Sequence, residues 1–206
     1  YSMASIFFIS DAHFGAGPET LEQQKQQKLR SFFTHISHPD NRLFIVGDFF
    51  DVWFEYRNAI PNNHFQVLRA LADLRDSGAK IDFLTGNHDC WVDRFFPQTL
   101  KIAVHTEPLI LKEQGRHIFI GHGHGLLGQK KIGDRLLKTI IENPVNIFLY
   151  RLLSPDIGLP LARRMSQKSR EHGQKRGNQE LFFKHYEKFA LKKLADADYD
   201  GLIFGH

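Results

Sequence analysis

The chain has 206 residues, 42% of them hydrophobic and 24% charged, with a formal net charge of +4. That is ordinary globular composition, long enough for one sizeable core. It excludes a helical membrane protein, because no apolar run reaches the roughly 18 residues a spanning helix needs; with Met3 taken as the native start, no secretory leader is expected either. The single cysteine, Cys90, excludes an internal disulfide and fits a reducing compartment, so a cytoplasmic location is expected.

Taken in chain order, residues 5–9 (SIFFI) form a short apolar run ending at Ser10-Asp11. Leu21, Leu29, Phe32, Phe33 and Ile36 then recur at helical spacing behind Pro18. Residues 42–46 (RLFIV) end at Gly47-Asp48, and a second helical pattern, Leu68, Leu71, Ala72 and Leu74, stops before Gly78. Residues 80–84 (KIDFL) end at Thr85-Gly86-Asn87, 116–120 (RHIFI) at Gly121-His122, and 201–204 (GLIF) at Gly205-His206. These five runs are short and rich in Ile, Val and Phe, which predicts buried strands, with 101–105 and 108–112 as extra ones. Strand–helix–strand alternation predicts an α/β domain with crossover connections.

Residues 127–195 break the alternation and read as helices over 129–141, 144–153, 157–172 and 177–195, punctuated by Pro144, Pro155 and Pro160. The predicted organisation is therefore a core of residues 3–126 and 196–206 with a helical insertion, 127–195. Charge follows the same division. Residues 129–194 carry fifteen of the 27 Lys/Arg but only six of the 23 Asp/Glu, so the insertion is basic and the core acidic. The acidic part suits cations and the basic part an anionic partner.

Asp11, Asp48, Asn87, His122 and His206 each follow a predicted strand at once, on the edge where α/β sheets build sites. Read as an extended segment, Asp11-Ala12-His13 places two donors on one side. The set mixes oxygen and nitrogen without thiolate, which suits Mn²⁺, Fe²⁺ or Zn²⁺ better than Ca²⁺ or a structural zinc. Two such cations sharing a carboxylate, with Asp48 as the bridge, are a solution to phosphate-ester hydrolysis. His88, next to Asn87 in GNHD, is placed to protonate the leaving oxygen, and these two are the candidate catalytic residues. Asp51 and Asp89 are read as partners that orient the ligating histidines.

The ordered set DAH, GDFFD, GNHD, GHG and GH resembles the calcineurin-like metallophosphoesterases. The resemblance implies a four-layer α/β/β/α sandwich. It implies Asp11, His13 and Asp48 on one metal, Asp48, Asn87, His122 and His206 on the other, and a further histidine two residues beyond His206. It implies two divalent cations, Mn²⁺ foremost, with Fe²⁺ or Zn²⁺ as alternatives.

Within that family GDFFDVWFEYR, the insertion after the HG motif and the stretch 162–171 (ARRMSQKSRE) are similar to the UDP-2,3-diacylglucosamine pyrophosphatases of lipid A biosynthesis. That match implies a helical cap whose Arg164, Ser169 and Arg170 touch substrate, and an apolar groove for two acyl chains. The implied reaction is water attack on the pyrophosphate, giving UMP and 2,3-diacylglucosamine 1-phosphate (lipid X). The implied partners are an anionic glycolipid nucleotide and the cytoplasmic face of the inner membrane, met peripherally. Nucleic acid is disfavoured, because the aromatics of the insertion cluster with aliphatics instead of interleaving with basic residues. No obligate protein partner is inferred. His88 stands where the best-known branch has arginine and His124 where it has aspartate. Both move toward the general pattern and keep open an alternative, the same fold acting on a soluble nucleotide or phosphodiester.

Overall fold

The protein is described by a computed structural model covering residues 4–123, 139–141, 143–175, 179–196 and 199–205. All five apolar runs form strands: β1 (Ile6–Ile9), β2 (Arg42–Val46), β3 (Lys80–Leu84), β6 (Arg116–Gly121) and β7 (Gly201–Phe204). The two extra strands also form, as β4 (Ala103–His105) and β5 (Leu109–Glu113). They build two sheets. The first has the order β1-β2-β3-β4 with every pair parallel. The second has the order β5-β6-β7, with β5 antiparallel and β7 parallel to β6.

The first sheet is covered on both faces, which is why its strands read as unbroken apolar runs. Leu43, Ile45, Ile81 and Phe83 point into a core shared with α1 (Glu19–Ile36) and α2 (Phe65–Asp76), which contribute Leu29, Phe33, Leu68 and Leu71. Phe44, Val46 and Leu84 point the other way, onto Leu111 and Ile120 of the second sheet. The helices, first sheet and second sheet thus form successive layers joined by two apolar seams. At roughly 25 cal/mol per Å² of apolar surface buried, such seams dominate the stability of the core.

The insertion supplies α3 (Pro144–Arg151), α4 (Pro155–Lys175) and α5 (Gln179–Asp196). Asn143 caps α3, its Oδ1 accepting from Val145 N at 2.9 Å, with Pro144 in the first turn where its missing N–H costs nothing. The sequence places the start of α4 at 157, but the helix begins at Pro155, because proline is compatible with a first turn. Only the end of the predicted helix 129–141 lies among the described residues, and 139–141 are helical. Tyr150 of α3 packs edge-on against Phe54, ring centroids 4.6 Å apart, and so joins the insertion to the core. In α5, Tyr186 and Phe189 lie 6.1 and 5.9 Å from Phe204 of β7, and Lys193 sits over Phe119 of β6. No described helix is long and apolar enough to cross a membrane.

Candidate metal centre

The parallel register of β1, β2 and β3 delivers three loops to one edge. The loop after β1 runs alongside that after β2: Asp11 N donates to Gly47 O at 3.1 Å, His13 N to Asp48 O at 3.0 Å and Phe14 N to Phe49 O at 2.9 Å. Asp11, His13 and Asp48 all have left-handed backbones, with φ of 52°, 43° and 50°. This corrects the reading of Asp11-Ala12-His13 as an extended segment. The two side chains converge through a turn, not through strand alternation. Left-handed backbone costs an ordinary residue roughly 1–2 kcal/mol, so three such residues in one small region mark strain held by the surrounding fold. Two glycines permit the close approach: a Cβ at Gly47 would overlap the His122 ring, and one at Gly86 would overlap the Asp48 carboxylate.

Asp11, His13 and Asp48 each present one ligand atom, all within 4.8 Å of one another. Asp48 Oδ2 lies 3.2 Å from His122 Nε2 and 3.9 Å from His13 Nε2, while Oδ1 accepts from His88 N at 2.9 Å. His122 Nδ1 donates to Val46 O at 2.8 Å, which orients the ring so that Nε2 faces Asp48. Gly205, the residue before His206, donates from its N–H to Gly121 O at 3.3 Å, and a Cβ on it would lie 2.9 Å from His122 Nδ1. Gly205, the last described residue, therefore lies against His122. His206 and His124 themselves lie outside the described residues.

A second group shares His13. Asp51, His88 and His13 also bring ligand atoms within 4.8 Å of one another, and the His13 and His88 rings stand perpendicular at 4.7 Å. The insertion closes onto it: Ser166 Oγ donates to Asp51 Oδ1 at 2.7 Å and lies 2.9 Å from His88 Nδ1, and Arg170 pairs with Asp51 while donating to Ser166 Oγ at 3.0 Å. Arg164 is exposed, Asn87 is exposed just past β3, and the side chain of Ser169 lies outside the described residues.

Asp51 thus faces His13 and His88, as its reading as a histidine partner requires, but Asp89 does something else. Asp89 is fully buried and accepts from the backbone N–H groups of Phe49 at 2.8 Å and Gly86 at 2.7 Å, with Asp48 N and Phe50 N at 3.3 Å. It ties GDFFD to GNHD through the main chain. Nothing in the pattern marked Ser166, whose one signal is its position a helical turn before Arg170.

The electrostatics follow the geometry. Burial pushes Asp48 upward, but the hydrogen bond and charge of His122 outweigh it and hold the carboxyl well below its usual range. Burial, with the Asp48 charge beside it, pushes Asp89 up to about 6. Burial lowers His13, opposed by Asp48 and assisted by His88. His122 is opposed by burial yet raised by its hydrogen bond to Asp48. An ionised carboxylate flanked by two imidazoles, with no thiolate, is a donor set that fits a divalent cation of the Mn²⁺, Fe²⁺ or Zn²⁺ kind.

Mixed carboxylate and imidazole donors at the carboxyl edge of a parallel sheet define the class, α/β proteins with a divalent-metal site. Comparison with known proteins narrows it. No protein-family model matches the chain. A UDP-2,3-diacylglucosamine hydrolase of Porphyromonas gingivalis is 31% identical over 173 residues, covering 84% of this chain and 66% of the relative. Proteins of the same name from Pseudomonas fluorescens and Ectopseudomonas mendocina are 27% and 26% identical, covering 84% and 98% of this chain and 67% and 80% of the relatives. The chain spans about two thirds of the length of the first two. A solved protein of unknown function from Aquifex aeolicus superposes with a TM-score of 0.42 at 19% identity, over 66% of this chain and 72% of its own. The chain belongs to the UDP-2,3-diacylglucosamine hydrolase family, whose members are metallophosphoesterases.

Proposed function

We propose that the chain is a dimetal phosphohydrolase that cleaves the pyrophosphate of UDP-2,3-diacylglucosamine, giving UMP and 2,3-diacylglucosamine 1-phosphate. One observation carries this reading: the Asp48 carboxylate lies between His122 and His13, where a single acid can serve two cations. Asp11, His13 and Asp48 hold one cation; Asp48, Asn87, His122 and His206 hold the other, with Mn²⁺ as the expected ion. When bound, the cations neutralise phosphoryl charge and acidify water. His88, steadied at Nδ1 by Ser166 Oγ and the Asp51 carbonyl, supplies a proton to the leaving oxygen through its other nitrogen. Arg170, with Arg164 and Ser169, meets the anionic phosphate and sugar region, and the Arg170–Asp51 pair gives way when substrate enters.

The architecture we assign is the four-layer sandwich, with α5 as its outer helical layer on β6 and β7. By sequence the core is 3–126 and 196–206 and the cap 127–195, so α5 belongs to the cap and leans on the core. A cavity of about 320 Å³ lined by Cys90, Trp91, Ile147 and Phe148 adjoins GNHD and suits an acyl chain. On α3, Val145, Phe148, Leu149 and Leu152 fall at helical spacing on one exposed face, which suits the membrane surface from which a glycolipid is drawn, at its cytoplasmic face. The test is UMP release from the diacylated substrate with added Mn²⁺. Turnover should be lost on chelation and fall about 100- to 1,000-fold in Asp48→Asn, the loss expected when a principal charge-stabilising group is removed. Equal activity on UDP-glucosamine without acyl chains would assign a soluble nucleotide substrate instead.

A further inference from the structure

A cavity of about 890 Å³ opens between the segment following Trp53 and α3. Arg57, Arg94 and Arg151 line its polar side and Ile60, Phe148 and Leu152 its apolar side. None of Asp11, His13, Asp48, Asn87, His88 or His122 reaches it. Two carboxylates share the cavity with three guanidiniums, and both are engaged. Glu55 accepts from Trp53 Nε1 at 3.1 Å and from the N–H groups of Arg94 and Phe95 at 2.6 and 3.0 Å. Asp93 pairs with Arg151 at 2.7 Å and lies 4.0 Å from Arg94 Nε. Positive charge is left over in the cavity, chiefly at the exposed Arg57 and Arg94.

The apolar wall is not self-contained. Phe148 and Leu152 belong to the outward stripe of α3, with Val145 and Leu149; these four side chains are 60%, 68%, 63% and 54% exposed. A cationic well therefore opens at the foot of an apolar ridge. Guanidinium groups bind phosphate oxygens through paired N–H donors. An exposed amphipathic stripe of this kind lies in the acyl boundary of a bilayer. A soluble anion would use the well and leave the ridge in water; a bilayer uses both.

We infer that this cavity binds the phosphate of an anionic membrane phospholipid, anchoring the α3 ridge in the bilayer beside the metal centre. The inference rests on the reading that the protein works at a membrane surface and names the site and lipid class that hold it there. The test uses sedimentation with vesicles of phosphatidylcholine alone or with added phosphatidylglycerol. Wild-type protein should partition preferentially to the anionic vesicles. Arg57→Gln combined with Arg94→Gln should weaken that partitioning about 30-fold, from the roughly 1 kcal/mol each basic residue contributes near an anionic surface. Lys28→Gln combined with Lys112→Gln removes the same charge elsewhere and should lose at most a few-fold. Hydrolysis of a water-soluble phosphodiester should not change in either pair. If the arginine pair binds anionic vesicles as wild type does, the site is overturned and the membrane reading stands. If both pairs lose affinity equally, net charge and not this cavity is responsible. If wild type binds neither vesicle, both readings fall.

Discussion

His13 is held from behind by two residues of α1. Glu22 accepts from the N–H groups of Gly15 at 2.7 Å and Gly17 at 3.0 Å, and Lys25 Nζ donates to His13 O at 2.7 Å and to Glu22 Oε1 at 2.8 Å. Burial works against ionised Glu22, but Lys25 and the two backbone donors prevail and lower its pKa. A histidine with φ of 43° needs such a restraint, because its backbone does not favour the position it occupies. Lys25→Met should therefore raise the Mn²⁺ concentration needed for half-maximal activity about tenfold, the lower end of what outer-sphere partners give, with kcat near wild type once metal saturates. An unchanged metal requirement would reduce the clamp to ordinary loop packing. Asp11, His13 and Asp48, which the structure brings within 4.8 Å of one another, were legible in the sequence because Asp11 and Asp48 follow apolar runs at once. Glu22 and Lys25 were not, because they sit in the polar run EQQKQQK, where nothing separates a buried clamp from a solvated helix face.

Strands were legible for a related reason: burial on both faces of the first sheet leaves apolar runs with sharp polar ends. What escaped was the backbone between them. The left-handed turns at Asp11, His13 and Asp48 are set by hydrogen bonds to neighbouring loops, which local sequence does not encode. The π-helical turn Phe95–Leu100 also escaped, because its entrance is fixed by a residue some forty positions earlier. Glu55, 6% exposed, accepts from Arg94 N and Phe95 N at that entrance and from the Trp53 indole, and so joins the GDFFDVW segment to the turn. Glu55→Gln keeps the shape but replaces charged acceptors with a neutral amide, one end of which donates. At least one of the three donors loses its acceptor, at about 1–3 kcal/mol. Urea unfolding should show that loss as a lower midpoint with an unchanged slope; a midpoint equal to wild type would mean the turn does not depend on Glu55.

At the scale of the molecule, the alternation of strands and helices correctly implied a parallel sheet with helices packed on it, and α3, α4 and α5 fall where that alternation breaks, between β6 and β7. How the parts lock together was beyond the sequence, and His64 illustrates why. The pattern gave it no role, yet it is 3% exposed, packs tilted against Phe50 and Trp53 with ring centroids 4.7 and 6.0 Å away, and donates from Nε2 to Val52 O at 3.3 Å. Its neighbour Asn63 accepts from Arg163 of α4 at 2.8 Å, so the same turn meets the core and the insertion. Burial holds His64 down to about 4, against 6.5 for the ordinary group, with the Arg163 charge adding to the effect and the Val52 carbonyl opposing it. Between those values the unfolded chain binds more proton than the folded one, so stability rises with pH across the window. His64 therefore contributes stability that is present above about pH 6.5 and lost as pH falls toward 4, up to about 3 kcal/mol at 1.36 kcal/mol per unit. His64→Gln has no charge to gain and can still donate to Val52 O. Unfolding free energies from urea titrations between pH 7 and pH 4 should fall steeply in wild type and by about 3 kcal/mol less in the variant; parallel profiles would place the acid sensitivity of the fold elsewhere, with the buried carboxylates as the next groups to vary.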